Sequence, residues 1–313
     1  MQGALSQFLD QRRTLLLDGA MGTELHRRGV ATGLPLWSAS ALFSNPDAVL
    51  AIHREYLLAG ADIITTNTFR TTRRTFRNAG LPDRSRELVT KACALAREAR
   101  MTVPGRDVLI AGSVAPLEDC YRPDLVPSPA ELREEHTELV LRLVDEGVDC
   151  ILLETMGTIR ETQAAYTAAR EAGMDVIVSF LCGSDGTLYG GESLEEAIIQ
   201  LSELEPTLFS INCLPAADAA QVLHLLHSMT HLPIGVYANT GVAGKEREDQ
   251  ELVISVPPDA YGRLAGEWIR AGATMVGGCC GTTPDHIRAC AETISLVTET
   301  TDDRSTTRPY DPA

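Results

Sequence analysis

Short apolar runs return eight times along this chain, and amphipathic stretches of helical period lie between them. The runs read TLLLDG (14–19), ADIITTNTF (61–69), DVLIAGSVAP (107–116), DCILLETM (149–156), DVIVSFLCG (175–183), TLFSINC (207–213), PIGVYANTG (233–241) and ATMVGGCCG (273–281). They are continuous rather than alternating, as a strand covered on both faces requires. Helical stretches follow at 46–60, 85–100, 129–147, 158–173, 193–204, 216–229, 257–272 and 283–297. Gly60, Gly147, Gly173 and Gly272 stand where a helix end favours a left-handed residue. Thr283-Pro284 offers a cap and a first-turn proline to the last helix. Eight strand–helix pairs in 313 residues predict a single-domain (β/α)8 TIM barrel over residues 1–297. A doubly wound open sheet would want G-x-G-x-x-G after an early strand, and DGAMGTE (18–24) lacks that spacing. The polar segment 298–313 has little to bury and is expected to be a disordered tail.

Composition narrows the partners. With 44% hydrophobic and 22% charged residues, the chain can fill an ordinary core. A formal net charge of -16 repels nucleic-acid phosphates and acidic membrane surfaces, so neither is expected as a partner. The first twenty residues lack a basic start followed by an apolar run, and no apolar stretch reaches the length of a membrane span. A cytoplasmic, reducing location is therefore expected, with the eight cysteines as thiols rather than a disulfide framework.

A barrel places its chemistry at the C-terminal ends of its strands. The eight runs end, in order, in Asp18-Gly19, Asn67-Thr68, Ser113, Glu154-Thr155, Cys182, Asn212-Cys213, Asn239 and Cys279-Cys280. Polar or thiol groups from separate segments thus converge on one rim. Three thiols, Cys213, Cys279 and Cys280, suit a zinc ion with a fourth position open for catalysis. Iron–sulfur clusters want four cysteines with tight local spacings, which are absent. Consecutive strand residues point to opposite faces, so Cys279 and Cys280 can share an ion only if the backbone bends. The flanking glycines permit such a bend. A vicinal disulfide or a pair of buried thiols remains the alternative. Cys93, Cys150 and Cys290 read as small core residues, and Cys182 has no partner motif. Glu154 at a strand end suits either a structural ion pair or a substrate cation, and Asp18 either a substrate or the following turn. No H-x-x-H-type ligand pattern accompanies the histidines, and His224 and His227 read as a solvated helix face.

LLLDGAMGTEL, TTNTF, LLET, INC and GGCCGTTP, in that order from about residue 14 to 295, resemble the homocysteine S-methyltransferase family, which includes the homocysteine domain of cobalamin-dependent methionine synthase. The resemblance implies a (β/α)8 barrel with zinc held by Cys213, Cys279 and Cys280. It implies that Asp18, Gly19, Thr68 and Glu154 hold the amino-acid substrate, with Glu154 matched to its ammonium. It also implies that Asn239 lies near the metal and orients or substitutes for a ligand.

The expected reaction is methyl transfer to the zinc-bound thiolate of homocysteine, giving methionine. The expected donor is a small sulfonium, S-methylmethionine or S-adenosylmethionine. The partners are then small molecules only. Ser210, Ala238 and Thr240 depart from the family pattern, and VAGKERED (242–249) is more charged than the run usual there. These departures keep two alternatives in view: methylation of an enolised 2-oxo acid, and a non-catalytic zinc or thiol-redox protein.

Overall fold

In a computed structural model of the chain, the described residues are 3–11, 14–241 and 256–305, with side chains through residue 298. Eight strands form one parallel sheet: β1 Leu15–Leu16, β2 Ile63–Thr65, β3 Leu109–Val114, β4 Cys150–Met156, β5 Val176–Phe180, β6 Leu208–Pro215, β7 Ile234–Asn239 and β8 Ala273–Gly278. Each falls within, or within two residues of, a predicted run. The sheet order is β1-β8-β7-β6-β5-β4-β3-β2. A parallel bridge between Leu17 and Ile63 links the two outermost strands and closes the barrel. The expected TIM barrel is therefore the observed fold.

Two apolar layers hold it together. Leu15, Leu17, Ile63, Leu109, Ala111, Leu152, Ile177, Leu208 and Met275 fill the barrel interior. Their alternation with outward residues follows from the strand period of two. Leu16, Ile64, Ile110, Ile151, Leu153, Val178, Phe209, Ile211, Val236 and Val276 face outward into a second layer shared with the helices. Both faces are thus buried, which is why the runs were continuous.

The eight predicted helices are all present, from Pro46–Ala59 to Pro284–Ser305. Gly60, Gly147, Gly173 and Gly272 all have positive φ, between 73° and 114°. Capping boxes at Ser128 and Ser193 start two helices. The last helix runs to Ser305, past residue 297 where the sequence placed the end of the barrel. Residues 306–313 of the expected tail lie outside the described residues. A further helix, Ala4–Gln11, was not anticipated; Leu5 packs into the interior layer and Ser6 binds the Asp175 carboxylate just before β5. It closes the N-terminal mouth, so the opposite mouth is the accessible one. Among the described residues, no helix is long and apolar enough to cross a membrane.

Candidate metal centre

The site is built where β6, β7 and β8 end. The ladder between β6 and β7 shifts register between Asn212 and Pro215, and Cys213 within that bulge has φ 61°. A left-handed residue with a side chain is uncommon and costs energy, so its surroundings must hold it there. Here the bulge turns the Cys213 side chain to the mouth of the barrel.

β8 ends at Gly278, so both of its cysteines lie beyond the strand in a tight turn. The alternation rule does not reach them. Gly281, with φ 81°, makes the turn. Thr282 ties it, both its amide and its hydroxyl donating to the Cys279 carbonyl at 3.1 and 2.7 Å. Gly277 and Gly278 serve a different purpose from the one the sequence suggested. A Cβ on Gly277 would lie 2.7 Å from Leu17 Cβ, and one on Gly278 would lie 2.4 Å from Thr282 Oγ1. They are glycine because β1 and Thr282 pack against them. The bend that aims two consecutive thiols the same way belongs to Gly281.

The sulfurs of Cys213, Cys279 and Cys280 all lie within 4.8 Å of one another. The thiols of Cys279 and Cys280 donate toward the Cys213 sulfur. This holds the Cys213 thiol well below its usual range and pushes the other two well above theirs. Each ionisation beyond the first would meet a like charge at close range, which opposes three bare thiolates here. A divalent cation is the partner that would let all three ionise. The donor set is therefore the one that suits zinc. All eight cysteines are free thiols in this structure.

Asn239, fully buried, ties two of these elements together. Its Nδ2 donates to the Cys213 carbonyl at 3.0 Å and its Oδ1 accepts the Cys280 amide at 3.0 Å. The amide also approaches Cys213 Sγ at 3.8 Å. Tyr121, which the sequence did not single out, places its hydroxyl 3.2 Å from the same sulfur. It comes from the loop after β3. Arg70 and Arg74 pin that loop by hydrogen bonds to the Glu118 carbonyl and carboxylate.

The remaining predicted residues stand at or just past the C-terminal ends of β1, β2 and β4. Glu154 sits at the end of β4 and accepts a hydrogen bond from Ser113 Oγ. Burial pushes its carboxyl up to about 7; the Ser113 hydrogen bond opposes this and the nearby Cys213 adds to it. Asp18 accepts the Thr65 amide at 2.8 Å and the Thr65 hydroxyl at 3.2 Å, and burial raises its pKa well above the usual range. Gly19 has no room for a side chain, since a Cβ would lie 2.8 Å from Tyr56 and Thr282. Thr68 spends its hydroxyl inside the scaffold, donating to the Ser113 carbonyl and accepting from Thr66.

Thr155, at φ 59°, repeats at β4 the bulged geometry of Cys213. Its amide donates to Asn212 Oδ1. Thr155 Oγ1 and Asn212 Nδ2 are buried at this mouth without a protein partner. Cys182 is buried in a bridge to Leu188 and stands outside the thiol cluster. His224 and His227 are exposed on their helix. The charged stretch 242–249 lies outside the described residues.

The homocysteine S-methyltransferase family model matches residues 15–294. Homocysteine S-methyltransferase of Escherichia coli is 33% identical, with 91% of this chain and 96% of that protein covered. Selenocysteine methyltransferase of Astragalus bisulcatus is 32% identical over 93% of this chain and 96% of its own length. The metallated form of the E. coli homocysteine methyltransferase MmuM superposes with a TM-score of 0.81, at 31% identity over 92% of this chain and 99% of that one.

Proposed function

We infer the reaction of this chain from one premise: it belongs to the homocysteine S-methyltransferase family. It is a methyltransferase, and the reaction we assign is transfer of a methyl group from a small sulfonium donor to the sulfur of homocysteine, giving methionine. The observation that carries the assignment is the cluster of Cys213, Cys279 and Cys280 at the open mouth of the barrel. These three residues would hold zinc. When bound, zinc supplies the Lewis acidity that keeps a substrate thiol ionised at neutral pH, where a free thiol is mostly protonated.

The protein's own groups do the rest. Three thiolates give the site a surplus of negative charge, which keeps an approaching sulfur electron-rich. Asn239 holds the two cysteine-bearing turns in register. Glu154 suits the substrate ammonium: a carboxyl pushed up to about 7 by burial ionises readily once a cation sits beside it. Asp18 supports the same wall through Thr65. Thr155 Oγ1 and Asn212 Nδ2 can donate to the substrate carboxylate, which supports an amino-acid acceptor. The homocysteine sulfur forms the new S–CH3 bond as the donor's S–CH3 bond breaks. The electron pair leaves on the donor sulfur, so thiolate and sulfonium both end neutral. What the fold contributes to this displacement is alignment.

The test is zinc-loaded protein with homocysteine and a panel of donors, namely S-methylmethionine, S-adenosylmethionine and glycine betaine, with methionine detected by mass. Methionine formation with a sulfonium donor is expected. Failure of homocysteine to bind the zinc-loaded protein refutes the assignment.

A further inference from the structure

Two tyrosines outside the predicted site meet beside the thiol cluster. Tyr121, in the loop after β3, has its hydroxyl 3.2 Å from Cys213 Sγ. Its ring packs edge-on against Tyr189, in the loop after β5, with centroids 5.6 Å apart and planes at 63°. Both residues are half-buried, so each keeps part of its surface exposed. Burial, and after it the charges of Cys213, Cys120 and Cys182, push the Tyr189 hydroxyl above its usual range.

Neither loop is loosely held. The Leu117 amide donates to buried Glu161, and Arg70 and Arg74 grip Glu118. On the other side, Cys182 bridges Leu188, Thr187 bridges Ser193, and the Gly190 amide donates to the Gly157 carbonyl at 2.8 Å. Gly157 itself lies where the loops converge: a Cβ there would touch the Cys120 carbonyl and Tyr189 Cβ, each at 3.5 Å. The aromatic pair is thus a built feature.

We propose that Tyr121 and Tyr189 bind the cationic sulfonium end of the methyl donor. The proposal rests on the reaction assigned above. A sulfonium centre has no N–H, so it cannot hydrogen-bond to Glu154 or Asp18. An aromatic ring attracts such a cation through its quadrupole and leaves the methyl group free to react. The position beside Cys213 is where a donor must lie to reach an acceptor sulfur held at the cluster. The attraction also ends with the reaction, because the donor leaves as a neutral thioether. A binding term lost as the charge is lost acts on donor KM more than on kcat.

The experiment uses the zinc-loaded protein, without homocysteine for binding and with it for turnover. Calorimetry compares S-methylmethionine with its neutral carbon isostere, 2-amino-5-methylhexanoate. The native protein is expected to bind the sulfonium about tenfold more tightly. Tyr189→Leu is expected to bring that ratio near one and to raise donor KM about tenfold, with homocysteine KM within about twofold of native. Tyr189→Phe, which keeps the ring, is expected to preserve the ratio. Equal binding of the two ligands by the native protein, no binding of the sulfonium, or an unchanged ratio in Tyr189→Leu overturns the proposal. A native protein that binds the sulfonium selectively yet methylates no homocysteine overturns the assigned reaction and leaves the sulfonium site standing.

Discussion

Asn239→Ala removes a single side chain that touches the backbone of two of the three cysteines. In the native protein its Nδ2 satisfies the Cys213 carbonyl and its Oδ1 satisfies the Cys280 amide, both at 3.0 Å. Truncation leaves both groups unpaired. A buried polar group left unpaired costs about 1–3 kcal/mol. Cys213 is buried and Cys280 half-buried, so the first loss falls higher in that range than the second. The sum is about 3–5 kcal/mol of stability for the zinc-free protein. The same change frees the Cys213 bulge, whose φ of 61° needs its surroundings to persist. Groups that orient metal-holding residues in this way typically contribute ten- to a hundredfold in affinity, and zinc affinity is expected to fall by about that much. Urea unfolding of the zinc-free protein and zinc competition against a chromophoric chelator measure the two effects separately. Asn239→Asp keeps the acceptor for Cys280 and loses the donor to Cys213, so it should fall between. Zinc affinity within twofold of native for Asn239→Ala, alongside a real loss of stability, would refute the view that Asn239 organises the thiols.

Gly278→Ala forces a Cβ to within 2.4 Å of Thr282 Oγ1 and is expected to destabilise by about 2 kcal/mol or more, as overpacking does; Gly147→Ala, with positive φ but open space, should cost about 1–2 kcal/mol by urea unfolding. Glu154 has a folded pKa of about 7 against an ordinary 4.5, so the folded state binds its proton more tightly. Its contribution is complete below pH 4.5, falls as pH rises from there to about 7, and is then lost. In zinc-free protein, where Ser113, Cys213, Asp18 and Tyr237 surround it electrostatically, Glu154→Gln should flatten the pH dependence of stability across that window, by at most about 3 kcal/mol. An unchanged slope in calorimetric melts would contradict the cause given for that shift. Cys213→Ser should lower zinc binding and methyl transfer together while circular dichroism keeps the barrel's signature. Retained activity would remove Cys213 from the ligand set.

The barrel was legible because burial on both sheet faces leaves a mark no local context erases: continuous apolar runs at regular spacing. The helix ends were legible because Gly60, Gly147, Gly173 and Gly272 do occupy left-handed positions. The helix Ala4–Gln11 lies outside the strand–helix alternation, although Leu5, Phe8 and Leu9 carry helical spacing. Its partner is the far mouth of the barrel, which no local pattern announces. The thiol cluster could be anticipated from residue type and strand order alone. Its geometry could not, since nothing in Asn212-Cys213-Leu214 signals a left-handed cysteine. The flanking glycines divide the work: Gly281 makes the bend, while Gly277 and Gly278 leave room for Leu17 and Thr282. Thr68 shows the converse limit: its place in a family motif is plain, yet its hydroxyl is engaged by Thr66 and Ser113. Tyr121 and Tyr189 lie in loops without periodicity, and only the folded barrel brings them together.

The zinc environment tests the central claim most directly. X-ray absorption at the zinc edge of the loaded, full-length protein should show three sulfur neighbours at about 2.3 Å and one lighter neighbour. Addition of homocysteine should convert this to four sulfurs. Fewer than three sulfurs in the free protein, or no gain of sulfur with homocysteine, would contradict the account.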